Sequence, residues 1–525
     1  MAVLSVLNVS PLTQLLILFG IWCAIVGYVV WQVVSPIDSR RPPPGKEWKL
    51  PPGPPGRLLF GNLKEVQGGR QSCLKLADYG EMTTVRLGSR LWVTLNTGRV
   101  VKEIYNRRSA VTNERPDLPM VGGLISRDNR SVLLPIAEWT ERRRVMHQVL
   151  SGTAMTKYGE YQEQESSQLL AEYYYNPHKW YSHHARYSNS VIHRITLGDP
   201  VHTMEQKMLD LLRVQKAFIV NLPPWNIWDN FPALAKLPKV FQWWRKPFEV
   251  IGKETFEVYS AYWKPFRQKI EAGHGAPSFA RDVLTGKEAK YSGSDEDAMY
   301  LAIQLIEAGS DTTRLSLNTF IMAMICHPEV VKKARQEIDQ ICGANAERLP
   351  TFADEQRMPY VSAMVKELMR WRPIFDWTPE HECSVDLEFE GYLFPKGTNF
   401  VINHHALCLN SSEYPEPEQF KPERWLDGHE TDVLHGLWAF GGGRRVCVGY
   451  RLAQKSLFIN MSRLLYCYDF EAAGRIDSYE LNHHLQTEPF PVRPSIRSQK
   501  HAELVLRSAE EWDVLKHAKV VVKAQ

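Results

Sequence analysis

The chain has 525 residues, 44% of them hydrophobic and 11% aromatic, a length that a size rule divides into about three domains and a composition that also suits one large globular unit. Its 63 Lys and Arg nearly balance 59 Asp and Glu, for a net charge of +4, which excludes the basic footprint of a nucleic-acid-binding domain. The eight cysteines lie far apart and form no C-x-x-C pair, which excludes a small disulfide framework and reads as a reducing compartment.

Residues 12–34 are an uncharged run of 23, long enough as a helix to cross a hydrocarbon core about 30 Å thick. The run exceeds the h-region of a cleaved signal peptide and carries no small-residue cleavage site. An N-terminal transmembrane helix is therefore expected, within a membrane anchor over residues 1–35. Arg40, Arg41, Lys46 and Lys49 follow the run and no charged side chain precedes it, so the bulk of the chain is expected in the cytosol and the short tail in the lumen. The sequon Asn8-Val9-Ser10 sits close enough to the bilayer to be read as unused. Next come Pro42-Pro43-Pro44-Gly45 and Leu50-Pro51-Pro52-Gly53-Pro54-Pro55-Gly56, which predict a stiff hinge over residues 36–56. From 57 to 525 no second linker or repeat occurs. Helical periodicity dominates, with β-like pieces near 83–95 and 387–401, so one domain is expected, mainly α with a smaller β region.

The clearest predicted helix starts near Ser294, where Asp295, Glu296 and Asp297 suit the positive end of the macrodipole, and ends at His327-Pro328. Its length makes it a central, buried helix. A second covers about 328–342, closed by Gly343, and a third runs from about Pro359 to Trp371 before Pro373. Inside the first sits Ala308-Gly309-Ser310-Asp311-Thr312-Thr313, a cluster of poor helix formers whose local propensity has been sacrificed. The pairs His183-His184, His404-His405 and His483-His484 lack the helical i, i+4 spacing of a metal site.

The segment Phe440-Gly441-Gly442-Gly443-Arg444-Arg445-Val446-Cys447-Val448-Gly449 leads into an apolar helix over 450–465. A cysteine at a helix N-terminus beside arginines has its thiolate favoured by the dipole and by positive charge, and glycines let backbone approach a flat macrocycle. This segment resembles the cytochrome P450 heme-binding signature, Phe-x-x-Gly-x-Arg-x-Cys-x-Gly, at every fixed position: Phe440, Gly443, Arg445, Cys447 and Gly449. The resemblance runs from about residue 51 to the C-terminal region. It implies the cytochrome P450 fold, heme b as cofactor, Cys447 as axial iron ligand, Arg445 on a heme propionate and Phe440 near the sulfur. Thiolate donation favours O–O cleavage, so oxygen activation is the expected chemistry.

Further motifs carry roles by the same resemblance. Glu367 and Arg370 of Glu-x-x-Arg, with Arg424 of Phe-x-Pro-Glu-Arg-Trp, form a buried structural network. Thr312 and Asp311 are the proton-delivery pair, a hydroxyl with ordered water and a carboxyl relay, while Gly309 and Ala308 leave room above the iron. Trp139 and Arg143 of Trp-x-x-x-Arg donate to a propionate, as does His381, although Glu380 stands where the family commonly has proline. Cys408 and Asn410 are a second departure from the pattern, outside the heme site. The substrate pocket is expected from loop 113–134, Leu305, Ala308, Gly309, Ile374, Phe375, Asp376, Trp377 and Glu488-Pro489-Phe490. Asp376 either hydrogen-bonds a ligand or caps a turn. The wording Tyr414-Pro415-Glu416-Pro417 resembles fungal members.

The reaction so implied inserts one atom of O2 into an apolar small molecule, in fungal secondary metabolism. No G-x-G-x-x-G follows a strand, so NADPH-derived electrons are expected from a separate flavoprotein, NADPH-cytochrome reductase, with cytochrome b5 as a further donor. The expected docking face is basic, built from Arg142, Arg144 and Arg444. The expected location is the endoplasmic reticulum membrane, single-pass, without a nucleic-acid partner. The rival readings are a family member performing phenol coupling or another non-hydroxylating oxidation, and a heme protein that only senses ligands; the intact Asp311-Thr312 pair favours oxygen activation over sensing.

Overall fold

The computed structural model describes residues 10–35, 40–150, 154–286, 291–481 and 487–523. The Asn8 sequon, residues 36–39 of the hinge and His483-His484 lie outside the described residues. The longer helices include, in chain order, α1 (Pro11–Val34), α2 (Ile136–Leu150), α3 (Ala154–Tyr175), α4 (Trp180–Leu197), α5 (Gln206–Ile219), α6 (Arg245–Glu271), α7 (Asp295–Cys326), α8 (Pro328–Cys342), α9 (Pro359–Trp371) and α10 (Tyr450–Cys467). The strands are β1 (Met82–Leu87), β2 (Arg90–Leu95), β3 (His381–Glu382), β4 (Leu387–Phe389), β5 (Tyr392–Phe394), β6 (Asn399–Ile402), β7 (Tyr468–Ala472) and β8 (Val492–Ile496). The chain is mainly helical with small sheets, as expected.

α7 begins where its cap dictates. Ser294 Oγ accepts from Asp297 N at 3.1 Å and the Asp297 carboxylate accepts from Ser294 N at 2.8 Å, a capping box that contributes about 1 kcal/mol. It ends at His327, because Pro328 pushes the preceding residue out of the helical region. α8 stops at Gly343, whose φ of +89° only glycine adopts readily. α7 packs along α4 and also meets α6 and α10, and it is buried over most of its length. The largest cluster of buried apolar side chains surrounds it, with Leu301, Ile306, Leu317 and Phe320 from α7 and Phe458, Met461 and Leu464 from α10.

The main sheet has the order β1-β2-β6-β3. β2 runs parallel to β6, with Trp92 opposite Asn399, and the other pairs are antiparallel. Every residue of β2 and β6 is buried, as befits strands covered on both faces. β4 pairs with β5 and β7 with β8, both antiparallel.

The proline stretch does more than space the chain. Thr84 N donates to Pro52 O at 3.0 Å and Leu393 N to Lys49 O at 2.8 Å, and Asn62 Nδ2 donates to Pro54 O at 3.1 Å. Proline lacks a donor but keeps its carbonyl, so the stretch serves as an acceptor rail along β1 and β5. The packed unit therefore begins near residue 49 and not at 57.

α1 is as long as the expected span, 24 residues, although its side chains are described only in part. Among the described residues no helix is long and apolar enough to cross a membrane.

Candidate active site

Cys447 lies three residues before α10, in a loop whose backbone is set by glycine. Gly443 has φ +63°, and a Cβ there would lie 1.8 Å from Tyr105 O, so no other residue fits between the loop and the segment 102–107. Gly443 N donates to Asn106 Oδ1 at 2.7 Å, and Cys447 N donates to Phe440 O at 2.9 Å, closing the loop. The Phe440 ring centroid is 6.2 Å from that of Tyr450.

The Cys447 side chain is accessible, yet protein atoms surround it densely enough for burial to push its thiol pKa up. Both statements hold for an atom facing an internal cavity rather than bulk solvent. The Gly449 N–H and the Arg143 guanidinium pull the other way and favour thiolate. Cys73, Cys342, Cys383, Cys408 and Cys467 are buried, and burial holds Cys342 and Cys383 up at about 11 and Cys408 and Cys467 at about 12. These five are inert thiols, whereas Cys447 is both reachable and opposed by a cation.

Beside it is a cradle of unpaired cations. Arg445 Nε donates to Asn113 O at 2.5 Å and Nη2 to Leu134 O at 2.9 Å, while Nη1 is buried without a partner. Its guanidinium lies 4.6 Å from the Trp139 ring centroid, and that of Arg143 lies 5.7 Å from the same ring. Arg115 reaches in from loop 113–134, its Nε donating to Val132 O at 2.7 Å and Nη1 to Pro379 O at 3.0 Å. Among the described residues no ion pair joins Arg445, Arg143 or Arg115 to a carboxylate. Burial, and then the nearby Arg115, drag the Arg445 pKa down to about 9; burial drags Arg115 down to about 10. The Asn113 amide nitrogen is also buried and unpartnered. Such a site is short of negative charge and of acceptors.

His381, on β3, stacks on Tyr105 with centroids 3.9 Å apart and directs Nδ1 at Thr112 O, 3.0 Å away. A carbonyl only accepts, so Nδ1 carries the proton and Nε2 is the face left for a ligand. Burial, reinforced by Arg115 and Arg445, holds its pKa well below the ordinary range, again a deficit of negative charge.

On α7, Ala308 is exposed although its neighbours Leu305, Ile306, Glu307 and Ser310 are buried. An accessible residue at the centre of a buried helix faces a cavity. Thr312, one turn on, shares that face, and its hydroxyl donates to Ala308 O at 2.8 Å.

A sequence profile of the cytochrome P450 family matches residues 51–489. The chain belongs to the cytochrome P450 family. It is 31% identical to the cytochrome P450 monooxygenase verL of Clonostachys rogersoniana over 88% of this chain and 89% of that one. Similar relatives are the cytochrome P450 monooxygenases fogE of Aspergillus ruber, 30% identical over 88% of this chain and 89% of the relative, and alnH of Emericella nidulans, 31% identical over 97% and 94%. All are fungal, and this P450 is an oxidoreductase of the monooxygenase class. The family implies heme, O2 and electrons from a reductase. The cradle fits a dianionic macrocycle: it offers orphan donors on Arg445 and Asn113, uncompensated charge, and a thiol and a helix groove that open inward.

Other expected residues fall into place unevenly in this P450. Arg370 donates to both carboxylate oxygens of Glu367 at 2.8 Å, and neither side chain has any exposure. Arg424 joins more loosely, at 3.4 Å, and the indole of Trp425 donates to Glu367 at 3.0 Å. Arg370 also donates to Cys408 O at 2.7 Å and Pro417 O at 2.8 Å. Because backbone supplies that acceptor, the departure at Cys408 costs the network nothing.

Asp311 does not reach for Thr312. Its Oδ1 accepts from Arg314 at 2.9 Å and 2.5 Å. Gly309 needs correcting: a Cβ there would lie 2.8 Å from Ile192 Cγ1 of α4, so its lack of a side chain admits α4 against α7 and makes no room in the cavity. Asp376 is occupied, Oδ1 lying 2.8 Å from His405 Nε2. Trp377 turns toward Trp92, ring centroids 6.3 Å apart. Phe375 is exposed, Leu305 is buried in the core, and Phe490 is buried against Trp180 at 5.1 Å. Arg142, expected on a basic docking face, is buried and donates to Asn129 O at 2.7 Å and Asp297 at 2.8 Å; Arg144 and Arg444 are exposed.

Arg115 and Asn113 were not singled out individually by sequence reasoning, although the loop they occupy was. An arginine beside the pocket loop's first residue was the available signal. Tyr105 carried none, since its partners Thr378, Phe400 and His381 are distant in sequence; Arg314, three residues from Asp311, and Trp425, the last residue of the second arginine motif, stood beside residues already singled out.

Proposed function

We propose that this P450 inserts one oxygen atom into an apolar small molecule of fungal secondary metabolism, in the overall reaction RH + O2 + NADPH + H+ → ROH + H2O + NADP+. The observation that carries this reading is the reachable Cys447 thiol beside a cradle of half-buried cations that no carboxylate pairs among the described residues. Cys447 would ligate heme b; Arg445, Arg143, Arg115, Trp139 and His381 would hold its propionates, Arg445 Nη1 and Asn113 Nδ2 gaining the acceptors they lack. When bound, heme b supplies a thiolate-ligated iron at which O2 is reduced by two electrons, a ligand that favours O–O cleavage.

The chain's own residues manage the protons and exclude water. Thr312 Oγ1 holds a proton on the cavity face, parked on Ala308 O, and can turn it toward the cavity. Asp311 is a carboxylate whose charge Arg314 compensates; exchanging that partner for water lets it pass protons from the surface to Thr312. Phe375 and Ile374, both exposed large hydrophobics, suit an apolar ligand, whereas Asp376, engaged by His405, is assigned to positioning the chain between α9 and β3.

The exposed Arg144 and Arg444 are assigned to a docking face for NADPH-cytochrome reductase or cytochrome b5. α1 is assigned to a membrane anchor in the endoplasmic reticulum. Leu12, Leu15, Leu16, Leu18, Phe19 and Trp22 are all more than half exposed on it, an apolar face along a helix about 36 Å long. Such a face supports lipid as part of its surroundings.

The test is product analysis in microsomes containing this protein, a reductase, NADPH, 18O2 and candidate apolar metabolites. One 18O per product, dependent on NADPH, is expected. A dehydrogenated or coupled product free of 18O would move the assignment to non-hydroxylating oxidation.

A further inference from the structure

Residues 127–131 are stitched to α7 along one side of the helix. Arg127 pairs with Glu296 at 2.8 Å. Asn129 O accepts from Gln304 Nε2 at 2.9 Å and from Arg142, which also holds Asp297. Ser131 N donates to Gln304 Oε1 at 2.7 Å. Arg130 meets Glu307 at 2.5 Å. Glu296, Gln304 and Glu307 are eight and three residues apart, which puts them on one helical face. Within the stitched segment Arg127 and Asp128 have φ of +51° and +54°, a left-handed conformation that costs non-glycine residues and persists only where surroundings over-determine it.

Arg130–Glu307 is the deepest stitch, the two side chains being 5% and 2% exposed. The Arg130 guanidinium lies 3.7 Å from the ring centroid of Phe218 on α5 and donates to Tyr259 OH of α6 at 3.0 Å. Gln215 of α5 donates to Glu307 O at 2.9 Å. One ion pair thus gathers loop 113–134, α5, α6 and α7, and Glu307 directly precedes Ala308, the accessible point of the groove. Stability alone does not account for it, since a well-packed apolar pair in such a place is commonly as stable or more so.

We propose that the Arg130–Glu307 pair is a positioning device for substrate selectivity: it fixes loop 113–134 and α5 as a rigid roof over the Ala308 groove, so that ligands are sorted by shape against a wall that does not give. This rests on the reading of that groove as the substrate side of a heme pocket. The pair itself touches neither Cys447 nor a cradle cation, and the cradle's loop residues, Asn113, Arg115, Val132 and Leu134, lie outside the stitched residues 127–131, so it sorts large ligands from small ones and leaves the iron's own ligation alone.

The test uses the full-length heme-loaded protein and two nitrogen ligands of the iron, imidazole and 4-phenylimidazole, titrated by their Soret shift. Hydrogen exchange of peptides spanning 117–134 is read in parallel. Imidazole affinity should be unchanged in all variants. In Glu307→Gln and in the double variant Arg130→Met/Glu307→Leu, the ratio of 4-phenylimidazole to imidazole affinity should change by about tenfold, equivalent to about 1.4 kcal/mol, and the loop should exchange faster. Arg130→Lys keeps the charge but not the guanidinium that stacks on Phe218 and donates to both Tyr259 and Glu307, so both readouts should fall between wild type and Glu307→Gln. The double variant should melt near wild type, which separates positioning from stability; if it does not fold, Glu307→Gln carries the comparison. A wild-type ratio and wild-type loop exchange in folded variants lacking the pair would overturn the proposal. Failure of wild type to respond to imidazole would instead overturn the heme reading itself.

Discussion

The guanidinium of Arg445, from the loop before α10, lies over the indole of Trp139, from α2, 4.6 Å from the ring centroid, with Nη1 buried and unpartnered. The stacking fixes the plane of the guanidinium, and two backbone carbonyls take its other donors. What remains is Nη1, with both of its N–H groups held in place for an anion, in a setting where burial disfavours the cation. Arriving negative charge would relieve that penalty.

Arg445→Leu should therefore weaken heme retention. A charge-assisted hydrogen bond contributes roughly 1.5–3 kcal/mol, so heme loss to a scavenger should speed up by about 10- to 100-fold. Trp139→Phe keeps a ring under Arg445 and should lose less. The check is heme content per protein and the rate of transfer to apomyoglobin.

Breaking the Glu367–Arg370 pair should be far costlier than breaking a surface pair. Glu367→Gln leaves a fully buried arginine uncompensated, a loss of about 3–5 kcal/mol, and should abolish accumulation of folded protein. Glu388→Gln, which removes the exposed partner of Lys46 at 2.9 Å, should cost about 1 kcal/mol or less. Urea midpoints of the two variants, or soluble yield where unfolding cannot be followed, decide this.

How far this was legible in the sequence depended on whether the determining partner was local. The bounds of α7, α8 and α9 could be read because Ser294, Gly343 and the prolines at 328, 359 and 373 act within a few residues of themselves. The heme loop could be read because its chemistry is concentrated in ten consecutive residues. Arg142 could not, because nothing local says that Asn129 and Asp297 converge on it; nor could Gly309, whose constraint is Ile192 on another helix. Asp376 stayed open between a ligand group and a turn cap because His405, its partner, is distant in sequence. The hinge was set too long because proline composition reads as a linker, whereas its carbonyls pair with β1 and β5.

Acidification should destabilise the fold through its buried histidines. Burial holds His183 and His404 at about 4 and His184 at about 3, against an ordinary 6.5. Below pH 6.5 the unfolded chain takes up protons that the folded chain refuses, so this stability is present above 6.5 and is lost as pH falls toward 4, by roughly 3 kcal/mol per fully buried histidine at the low end. Asp229 opposes the trend: burial raises it to about 6, so the folded state binds its proton first. The thermal midpoint should fall steadily from pH 7 to 5, and His404→Asn should flatten the slope. A midpoint independent of pH over that range would refute the account.

Thr312→Ala should keep heme and substrate binding but divert electrons to hydrogen peroxide, because the cavity face loses its only positioned hydroxyl proton at that turn. Asp311→Asn should mainly slow turnover, by roughly 100-fold, the usual scale for losing a general acid or base, since it changes proton supply and not ligand fit. It also removes the carboxylate that Arg314 holds, so Asp311→Glu is the comparison that keeps charge. Peroxide and product per NADPH separate the two effects, and unchanged product per NADPH in Thr312→Ala would remove it from proton delivery.

The last prediction concerns Cys447, on which the functional reading depends. It is accessible, and against the burial that pushes its thiol pKa up stand the backbone N–H of Gly449, the Arg143 guanidinium and the helix N-terminus that follows, three influences that favour thiolate. Replacement by Ser supplies a poorer, protonated donor, and replacement by His supplies a neutral imidazole with less electron density to push O–O cleavage; both should abolish monooxygenation. Heme can still be held by packing and by the cation cradle, so heme content alone does not decide the matter. The ferrous carbon-monoxide difference spectrum does: wild type should give the red-shifted Soret band of thiolate ligation, and Cys447→Ser and Cys447→His should not. Cys326→Ala and Cys23→Ala remove the other accessible thiols, and Cys73, Cys342, Cys383, Cys408 and Cys467 can be changed singly to Ala or Ser. Each of these should keep the band wherever the protein folds, because burial holds those five thiols protonated. A thiolate band that survives without Cys447 would transfer the iron to another residue, and with it the meaning of the Arg445 cradle.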